Sequence, residues 1–287
     1  MKYSIQQCEE SDAEFIWERG FETVPTDDNA KQEIIVIKVT DENGDVIGGC
    51  VIDIDETKMA EFDRLWVDKL YRRRGIGSAL IREAERVALE KGCRTLVNTY
   101  NFDFQPARKL FEQLGYKLIG TIQDWPKGHE CYSLIKRFDN RISIGPSDTM
   151  VCRNGFNIEL GSEEDGEFIT EMLEANNRLF APRSHEYLNI DKKLLDEEGI
   201  MIAGCVAGVS GWDTLHIDVL WVDEPYYNEG LGSYLLGEIE AEARKNGAYI
   251  SIASLPESQA DFFKKHGYTA CVLFKEQPEW CMLSKHL

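Results

Sequence analysis

The stretch Leu65-Trp66-Val67-Asp68-Lys69-Leu70-Tyr71-Arg72-Arg73-Arg74-Gly75-Ile76-Gly77-Ser78-Ala79 decides the fold. Its first three residues form an apolar run that reads as a buried strand, and the polar link after them ends in three arginines. Gly75-Ile76-Gly77-Ser78 then opens a helix. Leu80, Ile81, Ala84, Val87, Ala88 and Leu89 recur at three- and four-residue steps until Gly92 stops the pattern. Strand, glycine-rich turn and helix start together make a cradle for an anion. The first turn of a helix has N–H groups without intrahelical partners and a partial positive charge. Glycines let a pyrophosphate come close to those donors, and arginines add charge-assisted hydrogen bonds.

Upstream, Tyr3–Gln7 reads as a strand and Glu10–Arg19 as a helix capped by Ser11 or Asp12, with Phe15 and Ile16 on one face. Ile34–Val39 is a β-branched strand, and Asn43-Gly44 is a hairpin signal leading into Val46–Ile54, with Phe62–Val67 next. Downstream come a strand over Thr95–Thr99, a helix over Pro106–Leu114 stopped by Gly115, and strands over Tyr116–Ile122 and Cys131–Lys136.

The pattern then repeats. Leu220-Trp221-Val222-Asp223 and Gly230-Leu231-Gly232-Ser233 echo the opening stretch 155 residues later, and Gly204-Cys205-Val206 echoes Gly49-Cys50-Val51 at the same shift. Asp165-Gly166-Glu167-Phe168-Ile169 echoes Asp12-Ala13-Glu14-Phe15-Ile16. A period this long means two copies of one α/β unit rather than a solenoid. The expected division is a first domain over 1–139, a linker over 140–154 and a second domain over 155–287.

With 32 Lys and Arg against 51 Asp and Glu, the net charge is −19, which repels nucleic acid and anionic membrane and favours cationic partners. The eight cysteines include no C-x-x-C pair, so reduced thiols and no metal are expected. The start has no apolar leader and no run long enough to span a bilayer, which points to a soluble cytoplasmic protein. A Walker loop would need Gly-Lys-Ser/Thr, and a dinucleotide fold a third glycine where Leu80 stands.

These residues resemble the GNAT N-acetyltransferase family over nearly all of both halves. The family's loop, Arg/Gln-x-x-Gly-x-Gly/Ala, is here Arg72-Arg73-Arg74-Gly75-Ile76-Gly77, with Leu-x-Val before it and Leu-Phe-x-x-x-Gly-Tyr at Leu110–Tyr116. The resemblance implies an α/β fold of two tandem domains. Each would be a mixed, mostly antiparallel sheet flanked by helices and splayed after its fourth strand. It implies acetyl-CoA as co-substrate in the gap, held by Leu65, Trp66 and Val67 and by Arg72, Arg73, Arg74, Gly75, Ile76, Gly77 and Ser78. A primary amine of a small molecule or basic peptide would attack the thioester directly in a ternary complex.

The base expected from the family pattern is Glu61, six residues before Val67. Period-two alternation puts Asp63 on the same face unless a bulge breaks the phase, and makes it the second candidate. The corresponding positions of the second copy are His216 and Asp218. The family's acid is a tyrosine four residues before the Gly-Tyr glycine, where this chain has Phe111 and Phe263. Tyr132, Tyr100 or water is left to act, with Tyr132 the candidate carried forward against its reading as a plain strand residue. Two further loops stay open: Thr26-Asp27-Asp28 as an amine-facing rim or a connector, and Trp125–His129 as a substrate wall or a turn.

The copies are unequal. Tyr227-Asn228-Glu229 replaces the three arginines, and the second copy has no clear counterpart of the β-rich Ile34–Val39, its Leu188–Leu195 region being more polar, so the second copy is expected to be degenerate and the first catalytic. The fused pair would act as a monomeric pseudo-dimer or a homo-oligomer. The alternative is a CoA-binding sensor or interaction protein that has lost catalysis, which the two phenylalanines keep open.

Overall fold

The computed structural model describes residues 3–21, 33–55, 58–102, 107–138, 156–178, 181, 183–275 and 279–287, with the side chains of residues 21, 100 and 178 excepted. The 26–28 loop, the 140–154 linker, Cys152 and the Tyr100 side chain therefore lie outside the described residues. The first repeat holds β1 (Ser4–Gln7), α1 (Glu10–Phe21), β2 (Glu33–Thr40), β3 (Val46–Ile54), β4 (Met59–Val67), α2 (Ile76–Glu90) and β5 (Thr95–Phe102). It closes with α3 (Arg108–Gln113), β6 (Lys117–Gln123) and β7 (Glu130–Arg137). The second holds β8 (Asn157–Leu160), α4 (Glu163–Arg178), β9 (Leu188–Asn189), β10 (Lys192–Leu195), β11 (Met201–Ser210) and β12 (Thr214–Val222). It ends with α5 (Leu231–Lys245), β13 (Ile250–Pro256), α6 (Ala260–Lys265), β14 (Thr269–Phe274) and β15 (Trp280–His286).

The chain packs as two compact units that differ from the expected domains: Thr26–Ala181 is one, and Met1–Pro25 with Pro182–Leu287 is the other. Each unit therefore takes its first strand and helix from the other repeat.

In the 26–181 unit the strands run β6-β7-β5-β4-β3-β2-β8. All neighbours are antiparallel except β4 and β5, which are parallel. One face is covered by α2 and α3 over a core that includes Ile37, Phe62, Leu80, Ile81, Phe111 and Leu134. The other face is covered by α4, whose Ile169, Met172 and Leu173 share one helical face and pack with Val36, Val51 and Trp66. Gly49 makes this close approach possible, since a Cβ there would lie 2.2 Å from Ile169 Cδ1. A capping box steadies the start of α4: the Ser162 amide donates to Asp165 Oδ2 at 2.7 Å, and the Asp165 amide to Ser162 Oγ at 3.3 Å. Lys38 Nζ then holds the same carboxylate at 3.0 Å.

The split unit repeats this plan with strands β1-β10-β11-β12-β13-β15-β14. Its uncovered face receives α1 from the first repeat. A Cβ on Gly204 would lie 2.3 Å from Ile16 Cδ1, and Lys193 Nζ holds Asp12 at 2.5 Å. The polar Leu188–Leu195 segment is the counterpart of β2 after all, broken into β9 and β10 around Ile190 and Asp191. There the Asp191 carboxylate accepts from the Ala207 amide at 2.8 Å, a side chain taking the place of a ladder bond. The seven described cysteines are free thiols. No helix among the described residues is long and apolar enough to cross a membrane.

Candidate active site

Strands β4 and β5 pair only at Met59–Thr95, Ala60–Leu96 and Glu61–Val97, then part. Among the described residues, one edge of β4 beyond Glu61 has no strand beside it, while the other stays on β3 to Gly48–Val67. Glu61 thus stands at the vertex of the splay.

A β-bulge at Asp63 sets which side each residue faces, because Val51 pairs with Arg64 and Ile52 with Phe62. Ala60 and Phe62 before it, and Leu65 and Val67 after it, belong to the α2–α3 face, whereas Trp66 belongs to the α4 face. Alternation from Ala60 and Phe62 turns Glu61 to the α4 face. Asp63, the extra residue, is left exposed and pairs with its neighbour Arg64. The bulge therefore separates the two carboxylates that strict alternation would align.

Glu61 accepts a hydrogen bond from Thr99 Oγ1, the first hydroxyl on β5 beyond the paired segment. Loss of hydration is the main cause that pushes its pKa up to about 8, and the charges of Asp63, Asp53 and Asp55 add to it. A carboxyl so placed exchanges a proton near physiological pH.

The loop after β4 is fixed by short-range bonds. The Asp68 amide donates to Ile47 O, Asp68 Oδ1 accepts from the Leu70 amide at 2.8 Å, and Tyr71 OH reaches Asp41 Oδ2 at 3.2 Å. Arg73 and Gly75 both take left-handed backbone angles, φ 64° and 89°. The first intrahelical bond runs from the Ala79 amide to Gly75 O, so the Ile76, Gly77 and Ser78 amides precede it and remain available to an anion. The arginines divide the work. Arg72 folds back, with Nε on Val67 O at 2.9 Å and a terminal nitrogen on Asn176 Oδ1 of α4 at 3.3 Å. Arg74 lies over the Tyr71 ring, 5.2 Å from its centroid, and Arg73 is exposed.

Phe111 is fully buried, edge-on to Phe62 and Tyr116 at centroid distances of 5.3 and 4.9 Å. Tyr132 is buried in the same α2–α3 core beneath the Arg108 guanidinium. Its hydroxyl makes no hydrogen bond of normal geometry among the described residues, and burial raises its pKa. Glu61 and Tyr132 thus face opposite sides of the sheet. Trp125–His129 is the β6–β7 hairpin turn, closed by the Trp125 amide on His129 O at 2.8 Å.

In the second copy the backbone plan is kept. Pairing of β12 with β13 ends at Ile217–Ala253, a bulge falls on Asp218, and Asn228 and Gly230 take φ 65° and 85°. Asparagine tolerates this left-handed angle better than most residues, so Asn228 keeps the loop's shape while removing the positive charge of Arg73. His216 holds the Glu61 position; burial lowers its pKa to about 4, and its Nε2 lies 3.3 Å from Ser210 Oγ.

This geometry agrees with sequence comparison. The family described as "Acetyltransferase (GNAT) family" matches residues 3–116, and an "Acetyltransferase (GNAT) domain" matches 193–270. A blasticidin-S acetyltransferase of Streptomyces morookaense is 32% identical over 120 residues, 41% of this chain and 85% of that protein. The chain belongs to the GNAT acetyltransferase family. An uncharacterized N-acetyltransferase of Chlorobaculum tepidum is 39% identical over 82 residues, 28% of this chain and 49% of that protein. A solved acetyltransferase from Bacillus cereus shares 28% identity over 45% of this chain and 96% of its own, with a TM-score of 0.42. Both GNAT matches fall on strand–loop–helix segments of the repeat.

Proposed function

We propose that the 26–181 unit transfers an acetyl group from acetyl-CoA to a primary amine, and that Glu61 is its base. The observation that carries this is the position of Glu61, a carboxyl with a pKa near 8 at the vertex of the splay. It lies beside an unpaired strand edge and on the strand that leads into an anion cradle. The residues present suit acetyl-CoA: the Ile76, Gly77 and Ser78 amides with Arg73 and Arg74 for the pyrophosphate, and the open edge of Phe62–Val67 for the amide-rich arm.

The chemistry asks little more. The ionised Glu61 takes the proton of the attacking amine, directly or through one water, as the N–C bond forms. The C–S bond then breaks, and the thiolate takes a proton from solvent. A β4 amide on the open edge can donate to the thioester oxygen as negative charge develops there. Thiolates leave without an acid's help more readily than amines, since a thiol ionises at about pKa 8.5. Phe111 in the place of tyrosine is therefore compatible with turnover.

Asp53, Asp55 and Asp63 are all close enough to raise the Glu61 pKa, and their negative field draws in an ammonium, which gives one proton to solvent before the neutral amine attacks. The Streptomyces relative is named for blasticidin S, so a small-molecule acceptor is the first to try. The test is an amine screen with acetyl-CoA, read by mass spectrometry, on the full chain and on Glu61→Gln. Acetylation that Glu61→Gln abolishes supports the proposal. Tight CoA binding with no acetylation of any amine favours a sensor.

A further inference from the structure

We propose that Thr99 is the positioning residue of Glu61, and that a bulge in β5, pinned by the Asn101 side chain, delivers its hydroxyl to that carboxyl. The sheet sets up the encounter. Glu61 and Val97 are the last pair of β4 and β5, and Thr99 stands two residues further along β5. Leu96 lies in the α2–α3 core, so Val97 and Thr99 turn to the opposite face, where Glu61 also points. There Thr99 Oγ1 donates to the Glu61 carboxylate.

Strand β5 changes phase at this point. Asn98 pairs with Leu134 and Asn101 with Tyr132, so Thr99 and Tyr100 stand against the single residue Ser133. A bulge of this kind re-aims a side chain and leaves backbone groups without ladder partners. Asn101 meets those groups: its Nδ2 donates to Asn98 O at 2.8 Å and to Tyr132 O at 3.3 Å, one carbonyl on each strand. A carboxamide bonded to both strands holds the bulge in one shape.

The second copy lacks the pin and the bulge together. Its β13 pairs with β15 unbroken from Ile250–His286 to Pro256–Trp280, and Pro256 stands at the Asn101 position. Proline has no side-chain donor to bridge two carbonyls. Ser254 keeps a hydroxyl at the Thr99 position, but it accepts from Trp280 Nε1 at 2.7 Å. The carboxyl at position 61 thus goes with the bulge and the asparagine, whereas His216 goes with a straight strand and a proline.

The hydroxyl does two things for Glu61. It selects one carboxyl orientation, and it favours the ionised form, because a hydrogen bond to a charged acceptor is stronger than one to a neutral acceptor. Burial opposes ionisation, as do Asp63 on β4, Asp53 on β3 and Asp55 just beyond β3. Thr99 works against all of these. Its catalytic part rests on the reading of Glu61 as the base; its hold on the carboxyl does not.

Carbon-13 NMR of the glutamate carboxyls in the full chain follows the titration directly, with the Glu61 resonance assigned by its loss in Glu61→Gln. Thr99→Val keeps the side-chain shape and removes the hydroxyl, so the Glu61 midpoint should rise by about one pH unit. Thr99→Ser should restore it. Asn101→Ala alone should also raise the midpoint, yet add nothing to Thr99→Val, because it acts through the hydroxyl. With Glu61 as base, kcat/KM per neutral amine at pH 7 should fall about five- to tenfold in Thr99→Val while acetyl-CoA affinity stays unchanged. An unmoved midpoint in Thr99→Val, or Thr99→Ser behaving as Thr99→Val, would overturn the proposal. A raised midpoint in a chain that acetylates no amine would uphold the hold of Thr99 on Glu61 and refute Glu61 as the base.

Discussion

The ring of Phe168 stands edge-on to the indole of Trp66, centroids 5.7 Å apart and planes at 90°, although the two residues come from different repeats. Phe15 and Trp221 make the same contact at 5.6 Å and 89°. Each pair joins an exchanged helix to the sheet it covers. The repeat seen in the sequence and the unit that packs are therefore different segments of chain.

A fragment experiment follows from the exchange. Residues 1–139 lack α4, which would leave Val36, Val51 and Trp66 exposed on one sheet face. Uncovering a face of several large apolar side chains, at about 1.5–3 kcal/mol each, exceeds what a small domain can lose. The 1–139 fragment should give a poorly dispersed amide NMR spectrum, and the 26–181 fragment a dispersed one. Dispersed spectra from 1–139 would place α1 on the first sheet and refute the exchange.

The two cofactor-type loops make opposite predictions. The left-handed angles of Arg73 and Gly75 recur at Asn228 and Gly230, and the largest difference between the loops is charge. Reversing Arg73 and Arg74 to glutamate removes two charge-assisted interactions worth about 1.5–3 kcal/mol each, or roughly 10²- to 10⁴-fold in affinity. Asn228→Asp keeps a residue that tolerates the left-handed angle and should change acetyl-CoA affinity less than about threefold, since the loop lacks cations. Calorimetry on both variants decides between one working loop and two.

Much of this was legible in the sequence. The strand–loop–helix run, the glycines at 75 and 230 and the 155-residue shift all rest on local pattern. What was not legible is which helix docks on which sheet. Phe15-Ile16 and Phe168-Ile169 offer the same face, and Gly49 with Trp66 offers the same dock as Gly204 with Trp221. Equivalent surfaces cannot encode a choice between themselves. The bulge at Asp63 was hidden for a related reason, since alternation fixes phase only while the ladder is unbroken.

Tyr132 gives a clean negative test. Its hydroxyl lies in the α2–α3 core, on the face away from Glu61, and makes no regular hydrogen bond. Removing a buried hydroxyl without a partner costs little stability. Tyr132→Phe should therefore keep its Tm and stay within about threefold of wild-type kcat, against the roughly 10²- to 10⁴-fold expected for loss of a general acid. A fall in that larger range with an unchanged Tm would make Tyr132 the proton donor to the thiolate.

Glu61 ties rate and stability to one titration. With a folded pKa near 8 and a usual value of 4.5, the proton is held more tightly in the folded protein. Its contribution to stability is thus present below about pH 4.5 and is lost as pH rises through 8. The Tm of the wild type should fall relative to Glu61→Gln over that interval, because glutamine stays neutral. The rate should move the other way. Only the ionised carboxylate accepts a proton, so kcat/KM expressed per neutral amine should climb about tenfold per pH unit below 8 and then level. Glu61→Gln should lose this dependence with its activity while binding acetyl-CoA as before. A wild-type profile flat from pH 6 to 9, with a Tm that tracks the glutamine variant, would mean that Glu61 neither titrates in this range nor acts as the base.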